Sequence, residues 1–213
     1  RRVWRSRKRT PVHESLQGLR LLHALDVPAA LRFPEATDWH GLLAMTPPLD
    51  SRVAQAATGL SDKSWSRVVV LHPGNHGSAN GWSVDRFQAL GRRLTEAGWV
   101  VVVTGTKAER APLETWLHGS EVLDLVGKLD VPALLGLLAH AKLCVASSTG
   151  PLHLASGFGT PVVGLYHSKA PFWPARWSPL GPCTVLETRQ EAPEGGLNIS
   201  VQEASDAALG LLV

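Results

Sequence analysis

Cysteine is scarce. The 213 residues hold two, Cys144 and Cys183, which excludes a disulfide-dense scaffold and a four-cysteine zinc site and points to a reducing compartment. Long hydrophobic runs are missing too. No stretch of about 18 apolar residues occurs, so no segment reads as a membrane-spanning helix. Charge is sparse at 18%, whereas hydrophobic residues reach 44%. That balance is not the composition of a disordered chain and supports a buried core.

Acidic residues are absent from the first nine positions, where Arg1, Arg2, Arg5, Arg7, Lys8 and Arg9 cluster. These are six of the 21 basic residues. The remaining 15 face 18 acidic ones, so the body of the chain carries a net charge of −3 despite the overall +3. Nucleic-acid binding by the body is therefore excluded as a reading. The cluster is either a solvated chain end or a contact for an anionic membrane surface. No apolar segment follows it, so it is not a secretory signal.

Two regions differ in pattern. Residues 1–60 comprise the basic tail, a helix expected over His13–Leu25 from Leu16, Leu19, Leu22 and Leu25, and a linker broken by Pro28, Pro34, Pro47 and Pro48. Residues 61–213 are regular. Short β-branched runs (Arg67–His72, Trp99–Thr104, Lys142–Ser147, Pro161–Tyr166) alternate with amphipathic segments. Helices are expected over Val84–Ala97, Lys107–Leu117, Val131–Ala141, Pro151–Phe158 and Val201–Leu212, with short strands at Val122–Leu125 and Cys183–Leu186. In the third of those helices Val131, Leu134, Leu135 and Leu138 are expected to face inward. Continuous apolar strands alternating with helices predict an α/β fold with a Rossmann-like, doubly wound parallel sheet. Ligands of such sheets sit at the carboxyl ends of the strands.

That rule selects the loops after His72, Thr104, Ser147 and Tyr166. The first, Pro73–Trp82, is rich in glycine and enters a helix near Ser83. It is either an anion cradle or a plain turn. In the second, Glu109 reads on spacing alone as a first-turn acid that complements the helix dipole. The third, Ser147-Ser148-Thr149-Gly150-Pro151-Leu152-His153, combines N-cap hydroxyls, a close-approach glycine and a proline suited to the first helical turn. It lacks the G-x-S-x-G pattern of a hydrolase elbow, and His153 has no partner at i+4 for a metal. The fourth, Tyr166–Trp177, is aromatic and cationic, and lines either a cleft or an interface.

Three blocks together resemble glycosyltransferase family 9, the lipopolysaccharide heptosyltransferases and their relatives. They are His72-Pro73-Gly74 with Ser78, Ala79 and Trp82; Thr149-Gly150-Pro151-Leu152-His153-Leu154-Ala155; and Gly159-Thr160-Pro161-Val162-Val163-Gly164-Leu165-Tyr166. The resemblance implies the C-terminal, donor-binding half of a GT-B enzyme. It implies a nucleoside-diphosphate sugar donor, typically ADP-heptose, with no other cofactor and no metal. The acceptor would be a lipopolysaccharide or another saccharide or lipid-linked surface acceptor, and the location cytoplasmic or peripheral at the inner membrane face. It assigns Gly74, Asn75, Ser78, Asn80, Ser148, Thr149 and Gly150 to the diphosphate, Glu109 to the ribose, His153 to the sugar or phosphate, and Lys128 and Leu129, beside Gly127, to the border of the base. The catalytic base is expected in the N-terminal half. The chain departs from the family pattern at Asn80, where relatives have lysine, and at Ser148, where they have aspartate. Those departures keep open a second reading, a non-catalytic nucleotide-sugar-binding module.

Overall fold

A computed structural model describes residues 51–75 and 81–212. The helix expected over His13–Leu25, the proline-rich linker and the basic cluster lie outside the described residues.

Six strands form one sheet: β1 (Val68–His72), β2 (Val100–Val103), β3 (Leu123–Asp124), β4 (Leu143–Ser147), β5 (Val162–His167) and β6 (Cys183–Thr188). Their order is β3-β2-β1-β4-β5-β6, and every neighbouring pair is parallel. The described helices are α1 (Ser51–Thr58), α2 (Asp62–Trp65), α3 (Val84–Glu96), α4 (Glu114–Leu117), α5 (Val131–His140), α6 (Gly150–Gly157), α7 (Pro174–Trp177) and α8 (Val201–Leu211). The doubly wound sheet is the one the sequence predicts.

Alternate residues of each strand feed two cores, one per face. Val69 and Leu71, Val101 and Val103, and Val145 pack with Phe87, Leu90 and Leu94 of α3 and Ala204 and Ala208 of α8. Val68 and Val70, Val102, and Cys144 and Ala146 share the other core with Leu137 and Leu138 of α5, Leu152 of α6 and Ala54 of α1. Burial on both faces is why the strands read as unbroken apolar runs. Local signals start the helices. Asp130 caps α5 by accepting the Ala133 N–H at 2.9 Å. Ser200 and Glu203 form a reciprocal capping box at α8. Ser83 precedes α3 as expected, but its side chain makes no capping bond.

Two expectations need correction. Lys107–Leu117 is not one helix. It is a 3-10 turn at Lys107–Glu109, a second at Ala111–Leu113, and the single turn of α4. Pro112 is the cause. It has no N–H to give the fourth residue back, and its ring would strike that carbonyl, so the chain turns tightly and restarts at Glu114. In α5, the inward stripe is Ala133, Gly136, Leu137 and Leu138, while Leu134 and Leu135 are half-buried. Val131 is 67% exposed.

Strand β3 has two residues at the sheet edge and is held by charge. Arg110 Nη2 meets Asp124 Oδ2 at 2.9 Å, its Nε meets Glu114 Oε2 at 3.0 Å, and its Nη1 donates to the Val126 carbonyl at 3.1 Å. Lys128 Nζ reaches Asp124 Oδ2 at 2.8 Å. Partial burial by itself raises the Asp124 carboxyl. The hydrogen bonds from Arg110, Lys128 and the Val126 N–H outweigh it and bring the group down from 3.8 to about 2. A carboxyl depressed on folding adds stability above its unfolded pKa, and that stability is lost as pH falls through the folded value. With partners this exposed, the contribution is about 1–2 kcal/mol. Asp124→Asn is therefore expected to lower urea stability by about that amount at neutral pH. The gap to the unmodified chain should narrow as pH falls from 3.8 towards 2. A gap independent of pH over that range would show that the carboxylate does not hold the edge through its charge.

Candidate functional site

The strand order reverses between β1 and β4, and the chain leaves these two neighbours towards opposite edges. A crevice opens at their carboxyl ends for that reason. Here it is a cleft of about 460 Å³, floored by His72 at the end of β1 and Thr104 just beyond β2. Both are buried, and His72 Nδ1 lies 3.0 Å from Thr104 Oγ1.

One wall is the loop after β2. Glu109 Oε2 accepts from the Thr106 N–H at 2.8 Å and from its hydroxyl at 3.0 Å, which fixes the carboxylate at the loop's inner side. The same carboxyl lies against Gly74, where a Cβ would run into it. Gly74 and Glu109 are thus in contact across the cleft, and only glycine allows that approach. The second wall is apolar. Leu125, Leu129, Val131 and Leu134 line it, with Gly127 and Asp130 between them. Gly127 has φ +72° and donates its N–H to the Gly105 carbonyl at 2.8 Å, tying the two walls together.

The third wall is the start of α6: Thr149, Gly150 and Pro151. Thr149 is the N-cap residue, yet its hydroxyl makes no capping bond. It is 5% exposed, and its Oγ1 has no hydrogen-bond partner. Pro151 has no N–H, and the His153 N–H is taken by the Thr149 carbonyl. The amides of Gly150 and Leu152 therefore have no acceptor within the helix. Two amides, a hydroxyl and the positive end of a helix dipole form a place for an anion.

Of the residues singled out from sequence, Gly74, Asn75, Glu109, Leu129, Thr149 and Gly150 come together at this cleft. Ser78 and Asn80 lie outside the described residues. Lys128 is outside the lining, turned to Asp124. His153, half-buried one turn into α6, is also outside it. Ser148 points elsewhere: its side chain hydrogen-bonds Tyr166, whose hydroxyl donates to the Trp177 carbonyl at 2.6 Å. His72, Thr104, Lys107 and Val131 also line the cleft, though no sequence pattern marks them as ligand-binding. Their place at or just beyond strand ends, or at a helix start, was the available signal. Burial pushes the Cys144 thiol up to about 12, so no thiolate forms there near neutral pH. Among the described residues, no three His, Cys, Asp or Glu side chains gather as a metal site, and no helix is long and apolar enough to cross a membrane.

Comparison with known proteins identifies relatives of this chain. A lipopolysaccharide heptosyltransferase 3 from Escherichia coli is 26% identical over 182 residues, covering 74% of this chain and 54% of the relative. The crystal structure of a glycosyl transferase family 9 protein from Veillonella parvula superposes with a TM-score of 0.71 at 19% identity, over 96% of this chain and 61% of that one. E. coli ADP-heptose lps heptosyltransferase II superposes at 0.64 with 22% identity, over 76% and 50%. The chain thus spans about half to three-fifths of the length of these proteins. Residues 23–198 match glycosyltransferase family 9 (heptosyltransferase), and this chain belongs to that family.

Proposed function

We propose that this chain is the donor-binding half of a glycosyltransferase that takes a sugar from a nucleoside diphosphate. The observation that carries the reading is the pairing of opposite walls. Glu109, held by Thr106, faces the cleft on one side, and the unpartnered Thr149 hydroxyl and α6 amides face it on the other. A carboxylate accepts from a ribose diol, and a helix N-terminus accepts a phosphate. The apolar wall of Leu125, Leu129, Val131 and Leu134 suits the flat base. In the transfer, the bond from the anomeric carbon to the diphosphate breaks and negative charge grows on the leaving oxygen. Fixed N–H dipoles stabilise that charge without reorganising. The base that takes the acceptor's proton belongs to the N-terminal half. The names of the relatives favour ADP-heptose as donor and a lipopolysaccharide acceptor, and the cluster at residues 1–9 suits contact with the anionic membrane where such acceptors sit.

Calorimetric titration with ADP, UDP and GDP tests the reading. One nucleotide should bind saturably, and Glu109→Ala should weaken it by about 10- to 100-fold through loss of charged hydrogen bonds. Unchanged affinity in the variant would remove Glu109 from the ribose. Thr149→Val separates ligand binding from folding. Removing a buried, unmatched hydroxyl should leave stability equal or raise it by up to about 1 kcal/mol, while nucleotide affinity falls about fivefold. A loss of stability would mean the hydroxyl serves the fold instead. Deleting residues 1–9 should release the chain from anionic vesicles, since each basic residue near the surface contributes about 1 kcal/mol. Equal vesicle binding with and without the cluster would sink the membrane contact.

A further inference from the structure

A second cavity, of about 620 Å³, lies at the other end of the sheet, where the strands begin. Trp99 precedes β2, Lys142 precedes β4 and Pro161 precedes β5, and α5, α6 and α8 all end beside it. Its half-buried apolar lining belongs to both faces of the sheet. Trp99, Leu211 and Leu212 pack against one core and Phe158 against the other. The cavity is therefore a groove that crosses the amino edge of the sheet from face to face, away from the donor cleft.

Three helix ends would ordinarily make such a place electronegative, because their last carbonyls lack donors. Here six of those carbonyls already accept bonds. Leu137 takes the Ala141 N–H at 2.9 Å, and Leu138 takes the buried Thr160 hydroxyl at 2.7 Å. The Leu154, Ala155 and Ser156 carbonyls take N–H groups of Phe158, Gly159 and Thr160, and Leu209 takes that of Leu212. The charged groups of the lining are of one sign. Lys142 is exposed, and its ammonium makes no ion pair among the described residues. His140 Nδ1 lies 2.9 Å from the Gly136 carbonyl, which can only accept, so Nδ1 carries the proton and Nε2 is left to take another. No carboxylate side chain of the described residues lines the groove.

We propose that this groove binds a single-chain amphiphile with an anionic head, a carboxylate or a phosphate on an alkyl chain. The head pairs with Lys142, and the chain lies along the apolar lining. Volume, shape and chemistry agree on this. The space is within the range of about 300–1,000 Å³ that holds small ligands. A lining shared between two faces suits an extended chain. One free ammonium suits one anionic group, and the Thr160 hydroxyl is already committed to Leu138, which leaves few polar groups to recognise a sugar or a base.

Calorimetric titration of the full chain with octanoate, decanoate, decyl phosphate and decanol, each below its micellar concentration, tests this. Decanoate should bind saturably and about 5- to 15-fold more tightly than octanoate, since two more methylenes leave water. Lys142→Gln should weaken decanoate about 3- to 10-fold and decanol by no more than about twofold, and Lys142→Arg should recover the loss. Leu212→Glu on one face and Phe158→Gln on the other should each weaken decanoate by about tenfold or more, with the urea midpoint of each variant checking that the fold is intact. Binding of either anion supports the proposal, and the tighter of the two names the head group. Decanol binding as tightly as decanoate, or decanoate binding indifferent to Lys142→Gln, would overturn the pairing of head and ammonium. Affinity unchanged in both Leu212→Glu and Phe158→Gln would put the chain elsewhere, and no saturable binding at all would end the idea. Sedimentation of the ligand-free chain as a dimer that Leu212→Glu dissociates would show a second copy filling the groove instead. None of these outcomes touches the donor cleft, which shares no lining residue with the groove.

Discussion

The backbone pairing of β1 with β4 is the constraint on which the rest depends. Their parallel register runs from Val69 opposite Leu143 to His72 opposite Ala146, so the two strands end nearly level. From that shared edge the chain turns to α3 on one side and to α6 on the other. No connection crosses between them, and the gap becomes the cleft. His72 is the last residue of its strand and, with Thr104, supplies the floor; Thr149 is two residues beyond the end of β4 and supplies a wall. Chemistry at this edge follows from topology before any side chain is chosen.

Given that edge, two glycines set how close the loops come. Gly74 lets the Glu109 carboxyl rest against the β1 loop, and Gly127 seats the stem of Lys107. Each contact joins loops from different strands. The result is a site with distinct ends. One end is apolar and suits a base. The other offers amides and a hydroxyl that have no partner inside the protein. An anion at that end meets dipoles already oriented towards it, which is the arrangement that favours a diphosphate as a leaving group.

Much of this was legible in the residues themselves. Val68–His72 and Val100–Val103 are β-branched runs buried on both faces, and their parallel pairing follows from the helices between them. The Thr149–Gly150–Pro151 start of α6 follows from cap chemistry. What could not be read depends on through-space placement. Helix α5, Val131–His140, is apolar almost all round, so its period does not say which side is buried. Small residues, Ala133 and Gly136, turned out to face in and Val131 out. Adjacent Lys128 and Leu129 part company because Asp124 takes the lysine. The contact of Gly74 with Glu109 joins positions far apart in sequence, and nothing local announces it.

Ser148 shows how one position can connect the site to its surroundings. It lies between the buried end of β4 and the N-cap of α6, next to the place where an anion would sit, yet its hydroxyl is given to Tyr166. Tyr166 is 1% exposed, and it passes the link on to the Trp177 carbonyl. Trp177 in turn donates its indole N–H to the Pro171 carbonyl at 2.9 Å and carries the Arg176 guanidinium over its ring at 4.9 Å. The aromatic loop after β5 is therefore joined to Ser148, just before the N-cap of α6, by a chain of hydrogen bonds. A carboxylate at position 148 has no proton to donate to Tyr166, whose own proton goes to the Trp177 carbonyl, and would bring a charge to the edge of that core. A hydroxyl keeps the brace without the desolvation cost, and leaves an anion beside it to the α6 amides and to Thr149.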